Sequence, residues 1–247
     1  YDLCQNFSEH HRKRSHTNTL RNTPAARGEL PVITEYHNTS AQAGHSISGR
    51  DLNTYVTALA NALQHISSQH VPPQLESLQH VPPKKMRVIV VLDAGIDFIS
   101  TFLACLYSGM TIIPCPPAKS AHDLKRLQTV AADSAADALI CQAHNIERFA
   151  EALPQINCYT VADIMALATT PELIGANESV ELYQPQADDI AIIQYSSGST
   201  AAPKGVLVTY QMIAHNHLVV QQRWGLSAAT RGLTWLPHWH DMGLFGG

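Results

Sequence analysis

From Arg50 to Ile66 the apolar positions Leu52, Tyr55, Val56, Leu59, Leu63 and Ile66 recur at three- and four-residue spacing, which predicts a helix with one buried face. Met86-Arg-Val-Ile-Val-Val-Leu92 follows a different rule: a continuous β-branched run, as expected of a strand covered on both faces. Gly95 to Tyr107 then reads as an apolar helix, and Thr111 to Ile113 as the next strand. Ser120 with Asp123 three residues on resembles a capping box, with Asp in place of the usual Glu or Gln, and introduces a helix through Leu124, Leu127 and Val130. Ala138 to Cys141 predicts another strand, and the alternation continues more weakly through Ile146 to Leu153, Asn157 to Thr160 and Val161 to Leu167. Gly175 to Gln186 reads as a connection before a strand-like run from Asp189 to Tyr195, a short strand from Val206 to Thr209 and a helix from Tyr210 to Gln222. On that last helix Ile213, Leu218 and Val219 are expected to face the core. Strands alternating with helices imply an α/β fold on a parallel sheet.

Composition sets the class. A chain of 247 residues, 45% hydrophobic and 15% charged, with 13 Gly and 14 Pro, has the balance of a globular protein of roughly one to two domains. A formal charge of −4 disfavours nucleic acid as a partner, although His10-His11-Arg12-Lys13-Arg14 is locally basic. Residues 1–30 are polar without a sustained period and are expected to form an arm rather than a signal peptide. Gln69-His-Val-Pro-Pro recurs as Gln79-His-Val-Pro-Pro, a duplication too short for a repeat fold and expected in a surface loop. Phe98 to Ala118 carries no charge, yet Ser100, Thr101, Ser108, Gly109 and three prolines break it into a buried helix and a strand instead of a membrane span. Five widely spaced cysteines without a C-x-x-C indicate neither a disulfide framework nor a thiolate zinc site; with the missing leader this implies a cytoplasmic location. Cys105 and Cys115 are expected to be small buried apolar groups. A start at Tyr1 and a stop at Gly247 read as ends set by fragmentation.

The chemistry concentrates where the strand ending at Tyr195 empties into Ser196-Ser-Gly-Ser-Thr-Ala-Ala-Pro-Lys-Gly205. Ser196, Ser197, Ser199 and Thr200 offer hydroxyls, Gly198 allows close backbone approach and Lys204 supplies positive charge, a set suited to triphosphate oxygens. Taken alone the stretch also reads as a Ser-rich hairpin turn. It is not a Walker A loop, because Gly205 follows the lysine where Ser or Thr is required.

Tyr195-Ser-Ser-Gly-Ser-Thr-Ala-Ala-Pro-Lys-Gly-Val206 resembles the phosphate-loop signature of the adenylate-forming enzymes, which include acyl-CoA synthetases and nonribosomal adenylation domains. Trp235-Leu-Pro-His-Trp-His-Asp-Met-Gly-Leu-Phe-Gly-Gly247 is similar to the W-L-P-x-x-H-D-M-G-L-x-G-G signature of the fatty acyl-AMP ligase branch. Two weaker likenesses agree: Ile47 to Leu63 with an early helix of the family, and Phe102 to Gly109 through Pro117 with its C-L-Y-A-G segment before a proline cluster. Ala201-Ala202 and Tyr210 depart from the commoner superfamily pattern of Gly with a variable residue, and of His.

The resemblance covers residues 31–247 and implies the N-terminal portion of a large adenylate-forming domain, with parallel-rich sheets flanked by helices, cut before the rest of that domain and the small C-terminal domain. It implies that Lys204 and His240 are the catalytic residues, and that Ser196, Ser197, Gly198, Ser199, Thr200, Lys204 and Gly205 hold the ATP phosphates. His240, Asp241, Met242 and Gly243 would line the carboxylate and acyl pocket. The implied substrates are a fatty acid and ATP with Mg²⁺, and the implied acceptor is an acyl carrier protein, with CoA as the alternative acceptor. A non-catalytic nucleotide-binding remnant is the reading from outside the enzyme class. His215-Asn-His217 and His238-Trp-His240 have no carboxylate or cysteine cluster nearby in sequence, and no metal site is expected from them; His215 and His217 are expected at the surface or behind the site.

Overall fold

The strand starting at Arg87 is the organising element, because its side chains feed two separate cores. The computed structural model describes residues 30–36, 43–69, 85–174, 182–196, 203–227 and 229–246. The amino-terminal arm up to residue 29, the duplicated Val-Pro-Pro segment and Ser197 to Ala202 lie outside the described residues.

In chain order, an antiparallel pair β1 (Pro31–Tyr36) and β2 (Ala43–Ser48) leads into α1 (Gly49–Gln69). Then come β3 (Arg87–Val91), α2 (Ile96–Tyr107), β4 (Thr111–Pro114), α3 (Ala121–Ser134) and β5 (Ala138–Cys141). A 3₁₀ turn precedes α4 (Ile146–Ala152), which is followed by β6 (Asn157–Thr160), α5 (Val161–Ala168) and α6 (Pro171–Ile174). The described chain closes with β7 (Ile190–Tyr195), β8 (Gly205–Thr209), α7 (Tyr210–Trp224) and α8 (Asp241–Phe245). Among the described residues the main sheet has six strands in the order β6-β5-β3-β4-β7-β8, parallel except for the β7–β8 pair.

Val88 and Val90 of β3 point into a core shared with Val56 and Leu59 of α1, Phe98 and Ala104 of α2 and Ile164 of α5. Ile89 and Val91 point the other way, onto Leu127 and Val130 of α3 and Phe149 of α4. Period-two alternation explains why an unbroken apolar run suits a strand between two helical layers, with each fully buried large aliphatic side chain contributing about 1.5–3 kcal/mol. The Ser120–Asp123 capping box is present as the spacing predicts, with the Asp123 N–H donating to Ser120 Oγ at 3.1 Å and the Ser120 N–H donating back to Asp123 Oδ2 at 2.8 Å. Thr160 and Asp163 form a second one at the start of α5.

Three expectations change. The β1–β2 pair and the short α6 are additions to the predicted elements. On α7 the buried residues are Tyr210 and Ala214, while Val219 is exposed, because this helix covers only the flank of β7 and β8 and meets the core through its first turns. Cys105 and Cys115 are buried, and burial pushes both thiols up to about 12. Among the described residues no helix is long and apolar enough to cross a membrane.

Candidate active site

β4 and β7 lie side by side, and a cavity of about 470 Å³ opens beyond their carboxyl ends, the usual position for a ligand in an open parallel sheet. Pro114, Cys115 and Pro116 form its β4 wall, and Gln194, Tyr195 and Ser196 its β7 wall. The proline cluster stops β4 at this rim, since a residue without an N–H cannot continue the ladder. Asp123, Arg126, Leu127 and Val130 of α3 close one side; Trp239, His240 and Asp241 close another.

Two contacts hold the β7 wall against α3. The Tyr195 hydroxyl donates to Asp133 Oδ2 at 2.6 Å, and burial together with that carboxylate keeps the phenol protonated far above its ordinary range. Arg126 Nη2 donates to the Ser196 carbonyl at 2.6 Å. Across the β7–β8 pair the Ser196 N–H donates to the Lys204 carbonyl at 3.1 Å. Gly205 sits opposite Tyr195, and a Cβ there would come within 2.8 Å of Ile193 Cγ2, so β8 can follow β7 closely only without a side chain at this position.

The segment ahead of α8 is fixed from both sides. Gln194 Nε2 donates to the Trp239 carbonyl at 3.3 Å, while His238 Nδ1 accepts from the Gly95 N–H at 3.3 Å and its ring lies 5.6 Å from that of Phe98. Gly95 has no side chain to cap α2, so its orphan donors are met from outside: the Ile96 N–H donates to Glu35 Oε1 of β1. A tight turn follows, with the His240 N–H donating to the Pro237 carbonyl at 3.0 Å, and a Cβ on Gly243 would fall 2.2 Å from that same oxygen. His240 Nδ1 lies 2.5 Å from Asp241 Oδ1. The Met242 N–H donates to both Asp241 Oδ1 at 2.7 Å and His240 Nδ1 at 3.3 Å, so His240, the N-cap of α8, and the carboxylate beside it share this donor.

The tertiary structure therefore brings Ser196, His240 and Asp241 to one cavity, from segments more than forty residues apart in sequence. Lys204 is exposed and its side chain is not part of the lining; Gly205, Met242 and Gly243 do not line the cavity either, and Met242 is exposed. Ser197, Gly198, Ser199 and Thr200 lie outside the described residues. His215 is exposed and His217 half-buried on α7, and among the described residues no three His, Cys, Asp or Glu side chains gather as a metal site. Arg126 and Gln194 are lining residues that sequence patterning passes over: Arg126 is one of several polar residues on α3, and Gln194 a single polar residue in an apolar strand, so periodicity reports only burial. Gln194 Oε1 is buried and meets no donor among the described residues, which leaves an acceptor at the cavity wall.

Several known proteins are similar to this chain in sequence or in fold. The medium-chain-fatty-acid–[acyl-carrier-protein] ligase JamA of Moorena producens is 27% identical over 173 residues, covering 69% of this chain and 29% of that protein. A long-chain-fatty-acid–AMP ligase of Mycolicibacterium smegmatis is 30% identical over 171 residues, covering 68% of this chain and 26% of its own length. The crystal structure of a fatty acyl-adenylate ligase from L. pneumophila in complex with acyl adenylate and pyrophosphate superposes with a TM-score of 0.73 at 23% identity, over 93% of this chain and 36% of that one, a likeness of fold. The chain thus spans about a third or less of the length of these relatives. The family model described as AMP-binding enzyme matches residues 20–247, reaching back into the polar stretch before β1 and forward through both signature segments, and on that match the chain belongs to the AMP-binding enzyme family.

Proposed function

We propose that the full-length protein containing this chain is a fatty acyl-AMP ligase. A fatty acid carboxylate oxygen attacks the α-phosphorus of ATP, the new O–P bond forms as the bond to the β-phosphate oxygen breaks, and pyrophosphate leaves. The acyl group then passes to the thiol of an acyl carrier protein, releasing AMP. The observation that carries this reading is the convergence of Ser196, at the head of the hydroxyl-rich stretch, with His240 and Asp241 on one cavity beyond β4 and β7. The carrier-protein ligase among the relatives supports the choice of acceptor.

In this reading Lys204, Gly205 and the hydroxyl-rich segment Ser196, Ser197, Gly198, Ser199 and Thr200 hold the phosphates, while His240, Asp241, Met242 and Gly243 orient the carboxylate and the start of the acyl chain. Catalysis of such a displacement is in-line positioning plus neutralisation of charge, and a half-enclosed cavity that replaces water with fixed dipoles serves both. Mg²⁺ bound with the nucleotide would supply further charge neutralisation. Among the described residues no three His, Cys, Asp or Glu side chains gather to hold it.

Fatty-acid-dependent exchange of labelled pyrophosphate into ATP by the full-length protein is the test. Exchange with medium or long acyl chains, followed by loading of a carrier protein but not of CoA, is the expected result. Loading of CoA in preference makes the protein an acyl-CoA synthetase, and ATP binding without exchange makes it a remnant.

A further inference from the structure

We propose that Arg126 is a cationic anchor of this cavity that binds the phosphate oxyanions of the nucleotide, a role that rests on the nucleotide-activating reading above. Among the described residues lining the cavity, Arg126 is the one lysine or arginine; the lysine selected by sequence, Lys204, has an exposed side chain outside the lining. The other charged groups on the wall are the carboxylates of Asp123 and Asp241. Asp123 is held ionised by the Ser120 hydroxyl and backbone, which lower its pKa, and is committed to capping α3. Without Arg126 the wall presents net negative charge to a polyanionic ligand.

The guanidinium is also placed in advance. Its Nη2 donates to the Ser196 carbonyl at 2.6 Å, which sets it at the end of β7, and α3 is fastened to the same strand by the Tyr195–Asp133 hydrogen bond of 2.6 Å. The remaining N–H groups of the planar fork meet no acceptor among the described residues, and a guanidinium fork matches phosphate oxygens two at a time. A rigid cation anchored by a backbone carbonyl costs little reorganisation when the anion arrives. Its hydrogen bond to Ser196, at the head of the hydroxyl-rich stretch, assigns it to the phosphates rather than to the fatty acid carboxylate.

The test uses the full-length protein with Arg126→Gln, Arg126→Lys and Arg126→Ala. Glutamine keeps a donor for the Ser196 carbonyl and removes the charge. ATP binding by calorimetry and the KM values for ATP and fatty acid are measured for each, with thermal unfolding as a check on the fold. R126Q is expected to weaken ATP binding about tenfold or more, the usual effect of losing a charged hydrogen bond, with the fatty acid KM within about twofold of wild type and R126K intermediate. ATP binding by R126Q equal to wild type, with only R126A losing thermal stability, makes Arg126 a strut for Ser196 and overturns the proposal; so does a rise confined to the fatty acid KM. A wild-type protein that binds ATP through Arg126 but forms no adenylate sustains the anchor and overturns the acyl-activating reading. A wild-type protein that binds no ATP overturns both.

Discussion

His238 Nδ1 accepts a hydrogen bond from the Gly95 N–H at 3.3 Å, joining the segment that carries His240 to the amino-terminal end of α2, more than a hundred residues earlier in the chain. The bond needs a neutral ring, and burial lowers the His238 pKa from its ordinary 6.5, with Glu35 opposing that shift. Three elements meet there, since Glu35 of β1 accepts from the neighbouring Ile96 N–H.

Replacing His238 by Phe keeps a ring against Phe98 and removes the acceptor, leaving the Gly95 N–H unpaired. The expected cost is about 1–2 kcal/mol in urea unfolding, with Asn, whose Oδ1 takes the place of Nδ1, recovering most of it. The pH dependence has a definite sign. A histidine whose folded pKa lies below its unfolded value binds fewer protons when folded, so stability rises with pH between the two values. Stability is full above about 6.5 and falls as pH drops from there toward the lowered value. H238N removes that part of the slope; an unchanged slope in the variant contradicts the assignment.

Lys204 is exposed at the start of β8, and only its backbone carbonyl, accepting from Ser196, contributes to the fold. Lys204→Ala therefore leaves unfolding free energy within about 0.5 kcal/mol of wild type. In the full-length protein it lowers fatty-acid-dependent pyrophosphate exchange by about a hundredfold, the scale expected when a charge that stabilises the transition state is lost. Unchanged exchange removes the phosphate role.

Gly243 has no space for a methyl group, because a Cβ would lie 2.2 Å from the Pro237 carbonyl oxygen. Gly243→Ala forces the turn from Pro237 to Gly243 open and moves His240 away from the cavity. About 1–3 kcal/mol of destabilisation is expected from this overpacking, together with faster exchange of the His240 and Gly243 amide hydrogens, which the native turn protects. Mass-resolved hydrogen exchange on this chain measures it directly.

The thiols of Cys105, Cys115 and Cys141 are all pushed up to about 12, chiefly by burial. Thiolate is the reactive species, so iodoacetamide at pH 8 is expected to leave these three unmodified in the folded chain and to label them in denaturant. Peptide mapping reads the difference, and fast native labelling of Cys115, which borders the cavity, means that this wall opens on the labelling timescale.

The order and kind of most elements are local properties of the chain. The unbroken β-branched run at β3, the three- and four-residue spacing along α1, and the serine and aspartate that begin α3 each act through neighbours a few residues away, so they are legible without a fold. The two signature segments are legible for the same reason: their chemistry is written in contiguous residues. The β1–β2 pair carries no such mark, because its alternation is weak and much of the pair remains exposed. Exposure of Val219 is equally invisible in the helical period, which defines a face of α7 but not how far a neighbour extends along it.

What the tertiary structure alone decided is which of these segments meet. Sheet order places β7 beside β4 although about seventy-five residues separate them, and that adjacency puts Ser196 opposite the proline cluster. It also puts Arg126 on the described cavity wall, and recruits His238 and Gln194 to aim the segment holding His240. Local patterning carries the free energy of helices, strands and caps. Burying both faces of one sheet is a collective term that depends on the whole chain, and it is this term that fixes the strand order and, through it, the cavity.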